Sequence, residues 1–384
     1  MVKREAEKEL IELSRQFKAV ALVGPRQSGK TTLARNVFAH LPYVNLENLD
    51  TRNFALNDPR GFLKQYSSGA ILDEAQRTPE LFAYLQQILD ESSETGRFII
   101  TGSNNFLLQE NISQSLAGRI AYLYLLPFTI EEAGSSNNID TILHKGLYPP
   151  IYDQNIEPSK WYANYIRTYV ERDVRQIKNI SNLNVFEKFL RLCAGRVGQL
   201  LNMNSLAIEA GVDGKTIASW INVLESSFII YRLQPHHASF NKRVVKMPKL
   251  YFYDTGLACS LLGISSPSQL STHYAKGSLF ENFVITELVK FRYNRGDNHN
   301  LFFWRDNVGH EVDLLVESQK GLFPIEIKAG STIRDNFFEG ITYWNKLAGN
   351  TRGVVVYTGD SKQERSSGIS ILPWLSINNI YDMV

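Results

Sequence analysis

Chemistry is densest at Gly24-Pro25-Arg26-Gln27-Ser28-Gly29-Lys30-Thr31, where two glycines enclose four residues and are followed by a lysine and a hydroxyl residue. The glycines open backbone conformations closed to other residues. Successive N–H groups can then point into one concavity at a helix N-terminus, where a triphosphate is stabilised. In this pattern Lys30 reaches the β- and γ-phosphates and Thr31 ligates Mg²⁺, with Thr32 continuing the cradle. A plain glycine turn is the competing reading, but it gives Lys30 and Thr31 no role.

A second group follows in Ala70-Ile71-Leu72-Asp73-Glu74, an apolar run ending in two carboxylates. Asp73 is expected to hold Mg²⁺ through water and Glu74 to polarise an attacking water. The run Phe98-Ile99-Ile100-Thr101-Gly102-Ser103-Asn104 then puts polar groups at the end of another apolar stretch. Ser103 or Asn104 could sense the γ-phosphate or orient the water, and Asn104 is the first choice. The same residue types also make simple turns. Arg119 closes Ser115-Leu116-Ala117-Gly118-Arg119. It could project into a neighbouring subunit and neutralise phosphoryl charge, or be a solvated arginine at a helix end.

The last third carries a separate set. Glu281 lies in Gly277-Ser278-Leu279-Phe280-Glu281-Asn282, which reads as the start of a helix. Asp313 lies in Glu311-Val312-Asp313-Leu314-Leu315-Val316, and Glu326 and Lys328 in Ile325-Glu326-Ile327-Lys328, both strand-like, with a turn at Gln319-Lys320-Gly321 between. Strand alternation puts Glu326 and Lys328 on one face, so Asp313, Glu326 and Lys328 can converge. Two carboxylates can hold Mg²⁺ and make water nucleophilic, with lysine orienting it; surface ion pairs are the alternative.

These residues need elements to place them. Strands are expected at Ala19 to Val23, Tyr43 to Leu46, Ala70 to Leu72, Phe98 to Thr101 and Ile120 to Leu125, with helical stretches between most of them. That alternation argues for a parallel sheet covered on both faces, with ligand at the carboxyl ends of the strands. Gly134-Ser135-Ser136-Asn137-Asn138 has loop composition and marks a junction. Met203 to Ala210, Gly211-Val212-Asp213 and Lys215 to Ser226 read as helix, turn, helix, with Ile217, Trp220, Ile221 and Leu224 on one face. Phe228 to Arg232 and Leu250 to Tyr253 would form a wing.

At 384 residues, 43% hydrophobic and 21% charged, the chain is an ordinary globular sequence long enough for two or three domains. The net charge of +2 implies nothing about partners. Locally, Ser226 to Tyr253 holds no Asp or Glu but has Arg232, Lys242, Arg243, Lys246 and Lys249. Of these, Lys242, Arg243, Lys246 and Lys249 are the candidate DNA contacts through phosphate charge. A domain used only for packing or assembly is the alternative. Cys193 and Cys259 are the only cysteines, far apart, which disfavours disulfides and zinc. Met1 to Phe17 lacks the apolar core of a signal peptide, and the longest apolar run stops at Pro127, so no membrane span is expected. The expected compartment is the cytoplasm.

The order of phosphate loop, Asp73-Glu74, Thr101-Gly102-Ser103-Asn104 and Leu116-Ala117-Gly118-Arg119 resembles the prokaryotic AAA+ type ATPases that carry a distinctive C-terminal domain of unknown function. Gly146-Leu147-Tyr148-Pro149 and Tyr165-Ile166-Arg167-Thr168-Tyr169-Val170-Glu171-Arg172-Asp173 extend the resemblance, which covers nearly the whole chain. It implies a helical lid after the sheet, with Arg172 or Arg175 as the arginine that contacts the γ-phosphate, or else paired on the helix surface with Glu171 and Asp173. The set Glu281, Asp313, Glu326 and Lys328 is similar to the restriction-endonuclease-like superfamily, some members of which keep the fold and lose turnover.

The expected class is therefore α/β: a RecA-like parallel-sheet ATPase core over 1–133, a helical lid over 134–182, a winged-helix-like domain over 183–254 and an α/β restriction-endonuclease-like domain over 255–384. The expected function is Mg²⁺-dependent ATP binding and hydrolysis, with nucleotide state controlling how the C-terminal half meets DNA. The rivals are a Mg²⁺-dependent DNA nuclease regulated by the ATPase, and an ATP-switched scaffold that binds a protein partner. Arg119, if it is a finger, implies a homo-oligomer.

Overall fold

A computed structural model describes residues 2–102, 112, 115–134, 136–170, 183–237 and 244–384. The chain is an α/β protein in which a parallel five-stranded sheet is joined to a mixed-sheet C-terminal domain. The first sheet contains β1 (Ala19–Val23), β2 (Tyr43–Asn45), β3 (Ala70–Asp73), β4 (Phe98–Gly102) and β5 (Ile120–Tyr124), in the order β2-β3-β4-β1-β5. Every neighbouring pair is parallel.

β1 is apolar throughout because both of its faces are covered. Val20 and Leu22 meet Ala6 and Leu10 of the helix Ala6–Gln16 and Leu33 and Ala34 of the helix Lys30–Val37. Ala19, Ala21 and Val23 turn to the other face, where Leu81, Leu85 and Leu89 of the helix Leu81–Glu91 join the main core. The placement of β4 between β1 and β3 matters for the site. Leu22 pairs with Thr101 and Leu72 with Ile100, so Thr101 arrives beside Asp73.

Beyond Gly134, short helices run over Ile139–Lys145, Pro149–Asp153 and Pro158–Tyr165. Asn138 and Glu157 cap the first and last of these by accepting from Thr141 N and from Ser159 N and Lys160 N, and proline occupies the first turn of the second and third. Trp161 stacks on Tyr165 at 4.8 Å. The expected helix-turn-helix is present as Met203–Ala210, a left-handed Gly211, and Gly214–Ser226 capped by Asp213. Ile217, Trp220, Ile221 and Leu224 are buried together. The hairpin of β6 (Ile230–Leu233) and β7 (Lys249–Phe252) follows.

The C-terminal sheet contains β8 (Leu301–Arg305), β9 (Glu311–Ser318), β10 (Gly321–Lys328), β11 (Gly353–Tyr357), β12 (Gln363–Glu364) and β13 (Ile369–Pro373), in the order β12-β13-β11-β10-β9-β8. β8, β9 and β10 are antiparallel neighbours, while β11 runs parallel to both β10 and β13.

The helix Lys276–Tyr293 is buried continuously from Leu279 to Lys290 except at Glu281, and so behaves as an internal element. Asn282 clamps β7 by accepting from Phe252 N at 2.7 Å and donating to Phe252 O at 2.8 Å. One turn and a half further on, Glu287 accepts from Ile130 N at 2.8 Å and Lys290 donates to Phe128 O at 2.7 Å. This one helix therefore completes hydrogen bonds of both the β6–β7 hairpin and the stretch that follows β5. Among the described residues, no helix is long and apolar enough to cross a membrane.

Candidate nucleotide site

The loop after β1 has the backbone its sequence demands. Gln27 and Gly29 are left-handed, with φ of 61° and 94°, and Gly29 caps the helix that starts at Lys30. Alternation of left- and right-handed residues turns successive N–H groups to one side and makes an anion cradle. At Gly24 a Cβ would lie 2.1 Å from Leu125 O, so the loop passes too close to β5 for any side chain. Lys30 is 6% exposed and donates from Nζ to Gly24 O at 2.9 Å and Pro25 O at 2.7 Å, which holds its ammonium on the inner rim of the cradle.

Asp73 is the hub of the polar groups. Thr31 Oγ1 lies 3.0 Å from Asp73 Oδ1, Tyr43 OH donates to Oδ2 at 2.7 Å, and Thr101 Oγ1 donates to Oδ1. Thr31 and Asp73 together form a pair of hard oxygens, the ligand type Mg²⁺ takes when it keeps several waters. Partial burial and then the Asp73 carboxylate push the Tyr43 phenol above its ordinary value, so it stays a donor. Glu74 follows with φ of 57°, a strained conformation for a residue with a side chain, and its Oε2 accepts from Gln76 Nε2 at 2.5 Å.

A cleft of about 800 Å³ opens over this floor. Gln27, Gly29, Lys30, Thr31, Thr32 and Glu74 line one side, and Pro149, Ile156, Lys160, Trp161 and Asn164 the other. The far wall thus comes from the short helices after Gly134. Arg4, 7% exposed, closes the back of the loop by donating to Ser28 O at 2.6 Å and Leu126 O at 2.7 Å, with Glu132 Oε1 at 3.0 Å. Arg26, also in the cleft lining, reaches Glu47 Oε1 at 3.9 Å.

The structure brings together Gly24, Pro25, Arg26, Gln27, Ser28, Gly29, Lys30, Thr31, Thr32, Asp73 and Glu74. Ser103, Asn104, Glu171, Arg172, Asp173, Arg175, Lys242 and Arg243 lie outside the described residues. Arg119 sits before β5, at the opposite end of the sheet from the cleft, and forks onto Asp90 at 2.5 and 2.9 Å. It cannot reach the cleft of its own chain. Lys246 is exposed. Lys249 corrects an expectation: at 3% exposed it is not on a DNA-facing surface, because three carboxylates of the C-terminal set draw it inward.

Thr101 escapes sequence reasoning, although it opens the polar run that ends at Asn104. Tyr43, Arg4 and Lys160 escape it too, because their neighbourhood exists only once β2 lies beside β3 and the post-Gly134 helices fold back.

In the second set, Glu281, Asp313, Glu326 and Lys328 do converge. Lys328 Nζ lies 2.5 Å from Glu326 Oε2 and 3.5 Å from Asp313 Oδ2, and Ile327 N donates to Asp313 Oδ2 at 2.8 Å. Glu281 accepts from Lys249 Nζ at 2.9 Å and Tyr251 OH at 2.5 Å. Burial, followed by the Asp313 charge, pushes the Glu326 carboxyl well above its usual range. Among the described residues, no group of three or more His, Cys, Asp or Glu is arranged to hold a metal ion.

Comparison with known proteins agrees with this architecture. Residues 16–134 match the family model described as an AAA domain, while 136–268 and 276–377 match two domains of unknown function, DUF8612 and DUF4143. Uncharacterized protein Rv2008c of Mycobacterium tuberculosis is 32% identical over 335 residues, 86% of this chain and 74% of the relative. Uncharacterized protein MJ1544 of Methanocaldococcus jannaschii is 26% identical over 338 residues, 78% of this chain and 72% of the relative. A solved Walker-type ATPase of Pyrococcus abyssi is 14% identical with a TM-score of 0.47, covering 68% of this chain and 96% of that one. With its AAA-type P-loop domain followed by two domains of unknown function, this chain belongs to the same protein family as the mycobacterial relative.

Proposed function

We propose that the protein binds and hydrolyses Mg-ATP in the cleft above the Gly24–Thr31 loop, and that nucleotide state governs how its C-terminal half engages a partner. The observation that carries this reading is the convergence of Lys30, Thr31, Asp73 and Glu74 at the floor of a cleft sized for a nucleotide. In this scheme residues 1–133 are the ATPase core, 134–182 the lid, 183–254 a winged-helix-like domain and 255–384 a restriction-endonuclease-like fold.

Lys30 leaves the Gly24 and Pro25 carbonyls for the phosphates, and the loop N–H groups hold the same oxygens. Thr31 and Asp73 would hold Mg²⁺, which, when bound, neutralises charge on the β- and γ-phosphates. Thr101 and Tyr43 fix the Asp73 carboxylate. Glu74 accepts a proton from the attacking water. Lys160 and Trp161 close over the bound nucleotide from the lid side. Asn104 would orient the water, and Arg119 would act only in a neighbour's cleft, which makes a homo-oligomer part of the proposal. The exposed Lys246 leaves DNA as a candidate partner, alongside a protein.

The test is ATP turnover by the full chain, alone and with duplex DNA, single-stranded DNA and RNA, beside a mass measurement in ATP. Turnover lost in Lys30→Ala is expected. Folded protein with no calorimetric response to Mg-ATP overturns the reading.

A further inference from the structure

The carboxylates of the C-terminal set are four, not three, and each already has a basic partner. Glu281 has Lys249 at 2.9 Å, Glu326 has Lys328 at 2.5 Å and Asp313 has Lys328 at 3.5 Å. Glu311, which the sequence pattern does not single out, meets Lys249 with one oxygen and Arg305 at 3.0 Å with the other. The space around Glu326 is taken as well. A Cβ on Gly340 would lie 1.8 Å from Glu326 Oε1 and 2.6 Å from Glu311 O, so the helix Glu339–Ala348 presses its backbone onto this carboxylate. A divalent cation needs hard oxygens that are free to turn toward it and room for its waters. This set offers neither.

Lys249 is the residue that a catalytic reading leaves unexplained. It is buried on β7, in the hairpin of the middle segment, while its partners belong to the helix Lys276–Tyr293 and to β9. Burial opposes its charge, but Glu281, Glu311 and Asp313 hold its ammonium protonated well above the ordinary range. An unpaired lysine in such a place would give up its proton.

We infer that Lys249 supplies, from within the fold, the positive charge this carboxylate constellation would otherwise draw from a divalent metal. The cluster then acts as an ionic fastening between β7 and the C-terminal sheet, and the C-terminal domain is not a metal-dependent nuclease. This is independent of ATP hydrolysis at the loop and survives whether or not that activity is found.

The experiment is a calorimetric titration of Mn²⁺ into the nucleotide-free full chain and Asp313→Asn, with Lys249→Met in parallel. The expected result is no saturable heat that Asp313→Asn removes from the unaltered chain, and a new Mn²⁺ site in Lys249→Met. Because Lys249→Met strands buried carboxylates, Lys249→Met/Glu281→Gln is carried beside it. Removing both members of the pair restores balance and still takes the Lys249 ammonium away from Glu311 and Asp313, the two carboxylates it would otherwise neutralise.

Mn²⁺ heat in the unaltered chain that disappears in Asp313→Asn overturns the inference, as does Mn²⁺-dependent plasmid nicking lost in the same variant. Folded Lys249 variants that bind no more Mn²⁺ than the parent also overturn it. If neither variant folds, the parent against Asp313→Asn decides.

Discussion

The guanidinium of Arg4 donates to the carbonyl oxygen of Ser28 at 2.6 Å, so the N-terminal segment grips the phosphate loop from behind. The same group reaches Leu126 O at 2.7 Å and Glu132 at 3.0 Å, and the Glu132 side chain is 1% exposed. Arg4→Ala would leave that carboxylate buried without its cation, at a cost of about 3 to 5 kcal/mol. A loosened loop should also bind ATP more weakly. Urea unfolding and nucleotide titration check both. Arg4→Lys should recover little, since an ammonium on a flexible stem does not reproduce the planar fork that spans these oxygens.

Lys30 and Glu74 separate binding from turnover. Lys30→Ala removes the ammonium now held on Gly24 O and Pro25 O and should abolish ATP binding in a filter or calorimetric assay. Glu74→Gln should bind ATP normally and hydrolyse it roughly 10² to 10⁴ times more slowly, the usual contribution of a positioned base. Wild-type turnover in Glu74→Gln would take Glu74 out of its role.

Thr101 donates to Asp73 Oδ1 from the strand between β1 and β3. Thr101→Val keeps the shape and deletes the donor, a loss of about 1 to 3 kcal/mol for a hydrogen bond to a charged acceptor. The expected outcome is a higher Mg²⁺ requirement for turnover, restored by Thr101→Ser. Unchanged Mg²⁺ dependence would place Thr101 outside the site.

Two histidines should make acid unfavourable to the fold in a defined window. Burial lowers the pKa of both His144 and His299 below the ordinary histidine value. A histidine kept neutral in the fold but protonated in the unfolded chain means that the unfolded state binds more protons, so stability rises with pH. That contribution is full above the unfolded value of about 6.5 and is lost as pH falls through the lower folded values. The carboxyl of Glu326, pushed up by burial, acts in the opposite sense, so the histidine part is read as a difference: between pH 7 and 5 the melting temperature of His299→Phe should fall less, or rise more, than that of the unaltered chain.

Much of this architecture is legible in the amino-acid sequence alone. The Gly24 loop, the Asp73-Glu74 strand end and the helix-turn-helix at Met203 to Ser226 are local patterns, in which glycine conformation, capping and three- and four-residue spacing leave marks in adjacent letters. Lys249 shows the limit. From its neighbours it reads as one of several basic residues on a surface, and only the pairing of β7 with a helix some thirty residues later shows that its charge is spent inside. Glu311 is hidden for the same reason, two positions before Asp313. Lys160 joins the cleft only because the helices after Gly134 fold back over the loop, a contact between distant segments that no local spacing encodes.

The contact between Ile130 N and Glu287, with Phe128 O and Lys290 beside it, reaches beyond stability. Segment 16–134, separated from the rest, would bare a peptide donor and acceptor in the stretch after β5, and the remainder would keep the Glu287–Lys290 pair, at 2.7 Å, without the peptide groups that complete it. The matched segments are thus a single inheritance unit. Exchange of one segment between relatives should succeed only when residues 128–130 and 287–290 travel together.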